Sequence, residues 1–150
     1  MKTIQTLALL FVLSITSIQN LTAQTVEAQL TGNWKLDYTA TYNHTSTAMR
    51  AKLDALPLET RSNITSAYRN RTMTFKTDNS FVMTLADGRK VTGSWALDQA
   101  NSLLEVTTPN GKVFNYKINS LDSALLVIVL EAQKSANALF PEMHFTKIQN

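Results

Sequence analysis

The sequence predicts an all-β fold: an eight-stranded antiparallel up-and-down barrel with a helix pair inserted between strands 1 and 2. Three observations carry that prediction. From Arg71 onward, short runs of β-type residues alternate with turn signals. A further alternating run stands near the front, at residues 33–38. Between the two lies a stretch whose apolar residues recur at helical spacing.

Taken in chain order, the first segment stands apart from the rest. Met1-Lys2-Thr3 is a short basic start, and Leu7–Ile15 is an apolar run. Leu21-Thr22-Ala23 then offers a small residue for cleavage. This is the pattern of a secretory signal peptide over residues 1–23, with residues 24–150 as the expected folded domain. The apolar run is shorter than the roughly 20 residues a membrane-spanning helix needs. A secreted or periplasmic location, with no membrane span, is therefore expected.

In Asn33–Tyr38, Trp34, Leu36 and Tyr38 alternate with Lys35 and Asp37, the period of a half-buried strand. Ser46–Leu56 places Met49, Leu53 and Leu56 on one helical stripe, and Pro57 stops it. Ile64 and Tyr68 repeat the spacing after Leu58. Helices are expected at roughly 47–56 and 58–69. Seven strands follow, over 71–76, 81–86, 90–97, 102–107, 112–119, 124–131 and 143–148. The turns between them include Asp87-Gly88 and Asn110-Gly111, which supply the positive φ that tight hairpins need. Eight such strands leave unpaired edges if the sheet stays open, and closure removes them.

Strand parity predicts the inward set. Phe75, Phe81, Met83, Trp95, Phe114 and Tyr116 are the candidates to line an interior, either as plain core or as the wall of an apolar ligand cavity. Strand 124–131 is apolar on both faces, so its outer side needs cover, from the N-terminal segment or from a partner.

Composition excludes several chemistries. The 150 residues contain no cysteine, which rules out disulfides, thiolate nucleophiles and cysteine-held metals. The net charge of +3 falls by one with loss of Lys2, too little to argue for nucleic acid. Neither His44 nor His144 has a second His, Asp or Glu at metal-ligand spacing in its local sequence, so no metal and no cofactor is expected. No nucleophile elbow or phosphate-binding glycine loop occurs, and Asp78, Asp87, Asp98 and Asp122 sit where turns favour them. No enzyme activity is expected. Residues 47–76 concentrate positive charge, with Arg50, Lys52, Arg61, Arg69, Arg71 and Lys76 against Asp54 and Glu59. If the helices cover the barrel mouth, Arg50, Arg61 and Arg69 would steer an anionic amphiphile toward it; the alternative is an ordinary solvated face.

Gly32-Asn33-Trp34, the stretch Thr74–Phe81, Val91-Thr92-Gly93-Ser94-Trp95-Ala96-Leu97, and Leu121 with Leu125–Leu130 resemble the lipocalin-like domains of small secreted bacterial proteins. These belong to the calycin group of barrels. The resemblance spans roughly residues 29–148. It implies that Trp34 packs across the closed barrel end as a structural residue, with Lys147 as its cationic partner. It also implies that the helix pair caps a ligand portal, as in fatty-acid-binding proteins. The expected function is non-catalytic binding of a small hydrophobic or anionic amphipathic molecule. The alternative is a packed barrel that docks another cell-envelope protein.

Overall fold

The computed structural model describes residues 26–131 and 138–149. The expected signal peptide lies outside the described residues. Eight strands form one closed antiparallel barrel in sequential order. They are β1 (Gly32–Leu36), β2 (Thr72–Phe75), β3 (Ser80–Thr84), β4 (Lys90–Asp98), β5 (Leu103–Thr107), β6 (Val113–Leu121), β7 (Leu125–Leu130) and β8 (Glu142–Lys147). Closure runs through β1 and β8, with Trp34 opposite Lys147 and Leu36 opposite Phe145.

Three helices, not two, separate β1 from β2: α1 (Tyr38–Asn43), α2 (Thr47–Asp54) and α3 (Leu58–Arg69). The first was not anticipated, because the alternation of the opening strand reads on to Tyr38. The strand ends at Leu36 because Asp37 caps a helix, its carboxylate accepting from the Ala40 amide at 2.9 Å. Ser46 caps α2 in the same way through Met49. α2 ends at Asp54, before Pro57, and α3 spans the residues expected of it.

α1 also completes the barrel wall. Asp37 donates its amide to the His144 carbonyl at 2.9 Å, and the His144 amide donates to Thr41 Oγ1 at 3.0 Å. The fully buried Thr41 thus takes over where β1 stops, and the edge of β8 keeps its hydrogen bonds.

The interior divides into two halves. Toward the end where β1 begins, Trp34, Phe75, Phe81, Leu104, Leu126 and Phe145 exclude solvent almost completely. A helical turn at residues 26–30 closes this end with Leu30, which is also fully buried. Toward the helical end, Met83, Phe114 and Leu130 are only half-buried. β7 points Leu126 and Ile128 inward, paired with Phe145 and Met143, and turns Val127 outward opposite His144.

Candidate functional site

Alternation along β2 decides what reaches the barrel interior from the helical end. Met73 and Phe75 face inward, so Arg71, two residues earlier at the exit of α3, continues the same face. Its guanidinium lies 4.2 Å from the centroid of the Tyr68 ring. Its Nε is out of contact with solvent and, like that of Arg50, has no hydrogen-bond partner among the described residues. The Tyr116 phenol on β6 is pushed up by burial, while the charge of Arg71 pulls it down.

Arg71 also borders a cavity of about 480 Å³ between α3 and the β3–β4 turn, with Ala67, Leu85, Ala86, Asp87 and Arg89 as its other walls. Asp87 is already engaged there. Its Oδ2 accepts from Arg89 Nε at 2.6 Å, and its Oδ1 accepts from the Arg89 amide. These bonds and the Arg89 charge hold the Asp87 carboxyl below its ordinary value. The resulting rim site carries an inward-facing guanidinium beside apolar walls, and its carboxylate pairs with the other arginine. Such an arrangement suits a carboxylate or another anionic head group, which a guanidinium binds through two parallel donors.

The candidates for lining fall into two groups. Phe75 packs edge-on against Trp95 at 5.8 Å between centroids and lies 5.6 Å from Phe81. Trp95 Nε1 donates to the Lys76 carbonyl at 3.0 Å. These three fill the lower half on one another. Met83, Phe114 and Tyr116 lie higher, with Phe114 and Tyr116 stacked at 6.5 Å. At the closed end, Lys147 Nζ lies 5.0 Å from the Trp34 ring centroid and donates to the Gln29 carbonyl, while Trp34 Nε1 donates to the Leu30 carbonyl. Burial lowers the Lys147 ammonium from its ordinary value.

Arg50, Arg61 and Arg69 are not part of the cavity that Arg71 borders. Arg61 and Arg69 line a separate groove of about 410 Å³ on the helical layer, with Tyr38, Tyr42, Asp54 and Leu58. Tyr42 donates to Asp54 Oδ1 at 2.6 Å, and Arg61 reaches the Asp54 carbonyl at 3.4 Å. Arg50 is half-buried, and its charge acts on Tyr42. Arg71 is one of the six cations in the charge excess of residues 47–76. The usable signal was its place two residues before Met73 on one strand face.

The structure also brings together His44, Glu142 and His144. Glu142, two residues before His144, corrects the expectation that no carboxylate accompanies that histidine, and His44 joins them only through the fold, since it lies 98 residues before Glu142. On a strand, Glu142 and His144 then share a face.

No family profile matches this chain, and no curated protein matches it. Solved structures do resemble it. A crystal structure of a DUF4847 family protein from Bacteroides vulgatus is similar with a TM-score of 0.51 at 16% identity, covering 84% of this chain and 99% of that one. An NMR structure of a protein from Bacteroides uniformis is similar with a TM-score of 0.52 at 13% identity, covering 83% of this chain and 93% of that one. At these identities the likeness is one of fold alone, a closed eight-stranded antiparallel barrel.

Proposed function

We propose that this protein is a lipocalin-like carrier, secreted or periplasmic, that holds a small amphipathic molecule by non-covalent contacts alone. The anionic head seats at Arg71, and the apolar portion enters the helical half of the barrel beside Met83, Phe114 and Tyr116. The observation that carries this reading is Arg71 itself, an inward-facing cation at the rim of a cavity, whose buried Nε has no partner among the described residues. A buried donor without a partner costs about 1–3 kcal/mol, and a bound carboxylate would relieve that cost. The packed lower half supports a short site near the helices rather than one running the length of the barrel. The leader-like start of the sequence supports export. Among the described residues, no helix is long and apolar enough to cross a membrane.

The test compares a fluorescent long-chain carboxylate with its methyl ester on the purified protein. Arg71→Gln should weaken carboxylate binding by at least about tenfold, the equivalent of one charge-assisted hydrogen bond, and leave the ester unchanged. Neutralising Arg50, Arg61 and Arg69 together should slow association at low salt and leave dissociation largely unaltered, since those charges lie off the cavity. Failure of the native protein to bind either probe would favour the packed barrel acting as a docking module. Equal losses for both probes on Arg71→Gln would remove Arg71 from the site.

A further inference from the structure

We propose that His44, Glu142 and His144 form a binding site for a divalent transition-metal ion of the zinc class. The site lies on the outside of the barrel and is independent of the interior ligand. Its three side chains come from two places a hundred residues apart. Glu142 and His144 stand on the outer face of β8, and His44 is the residue that ends α1. His144 Nε2 lies 2.8 Å from Glu142 Oε1, and His44 Nδ1 lies 3.7 Å from the same oxygen. The two imidazole rings are 4.3 Å apart between centroids and tilted by 32°. One ligand atom from each residue lies within 4.8 Å of the other two. Ligands around a single zinc at about 2.0–2.2 Å stand roughly 3.3 Å apart, so small side-chain rotations close the remaining gap.

The backbone holds these side chains in place before any ion arrives. The His44 amide donates to the Ala40 and Tyr42 carbonyls, and two residues later Ser46 caps α2. His44 is therefore pinned between two helix ends. The buried Thr45 next to it donates to the Thr41 carbonyl at 2.9 Å. The same Thr41 accepts the His144 amide, so one residue ties both histidine-bearing segments together. His144 is nearly buried, Glu142 is half-buried and His44 is exposed, which gives the site a fixed inner wall and an open outer one. A cavity of about 150 Å³ adjoins it, lined by His44, Thr45, Ser46, Met49, Pro141 and Glu142 among others.

The donor set selects the ion. Two imidazoles and one carboxylate suit zinc, cobalt, nickel or copper and give calcium or magnesium too few oxygens. Three protein ligands leave at least one coordination position open, the arrangement of zinc sites that take up water or a further ligand.

The composition makes the test clean. His44 and His144 are the chain's only two histidines, and it has no cysteine. The protein is purified without a polyhistidine tag, stripped with chelator and titrated calorimetrically with Zn²⁺. Binding of one ion per chain is expected. Co²⁺ should give the intense visible absorption of a four- or five-coordinate site, and Zn²⁺ should shift the ring signals of both histidines in NMR spectra. His44→Ala removes an exposed ring, and its affinity should fall about 100-fold or more, since loss of a mere supporting partner already costs 10–100-fold. Should that variant lose its far-UV circular dichroism, Glu142→Gln replaces it, with a loss of at least about tenfold expected. Absence of Zn²⁺ binding by the native protein would overturn the proposal. So would unchanged affinity in the folded variant, or ring signals that stay still while ions bind at scattered carboxylates.

Discussion

Gly93 has no room for a side chain. It faces inward on β4 opposite Phe81, and a methyl group there would overlap the Thr107 carbonyl oxygen. The backbone at Thr107 and Thr108 approaches β4 closely at this point, a role for which a strand glycine is suited. Gly93→Ala should therefore destabilise the protein by about 1–3 kcal/mol, read as a lower midpoint in urea unfolding with little change in slope. Gly32 serves a different end. Its φ of +132° is one that other residues rarely adopt, and a Cβ there would collide with the Lys147 side chain. The glycine leaves the space through which Lys147 reaches the Trp34 ring. Arg71 shows how much one position depends on its strand. Two residues earlier, Arg69 belongs to α3 and faces the outer groove, whereas Arg71 inherits the inward parity of β2.

At the scale of the element, the hairpin turns are chemical devices as well as connections. Asp122 accepts from the Ala124 and Leu125 amides at 2.7 and 2.8 Å and shapes the β6–β7 turn. Asp78, Asp87 and Asp98 serve their turns in the same manner, through Ser80, Arg89 and Asn101. Each of these four carboxyls is held below the ordinary value of 3.8: Asp78 by its Ser80 hydrogen bonds, Asp87 and Asp122 by backbone amides, Asp98 by Asn101. A depressed folded-state value means that the folded chain holds fewer protons than the unfolded one. The stabilisation is complete above the unfolded value and is lost as pH falls through the folded one. Thermal stability should accordingly decline below about pH 4. Asp122→Asn keeps the acceptor and removes the titration, so its melting temperature should fall less steeply over that range. The helices follow similar local chemistry, with Asp37 and Ser46 deciding where α1 and α2 begin.

For the whole molecule, closure between β1 and β8 makes the barrel a single cooperative object. Trp34 lies in β1 at that closure and Trp95 in β4 on another part of the wall, so the two report on different regions of one core. In Trp34→Phe and Trp95→Phe variants, the remaining tryptophan's fluorescence should lose its native signal at the same denaturant concentration as far-UV circular dichroism. Separate transitions would mean that the barrel does not unfold as one unit. The eight strands and the two longer helices were legible in the chain because alternation, helical spacing and turn residues are local signals that span a few positions. The inward faces were legible for the same reason, since parity follows from pleat geometry once a strand is recognised. α1 was hidden because Tyr38 continues the alternation of β1, and only the Asp37 cap and the Thr41 bond to β8 favour a helix there. The sequence by itself therefore determined the strands, their order and their faces. Tertiary structure alone decided that the charge of Arg71 acts on Tyr116 and that the His44 ring lies against that of His144. These encounters join residues far apart in the chain. No local pattern encodes them, because they exist only once the sheet has closed and its first turn of helix has been drawn across the last strand.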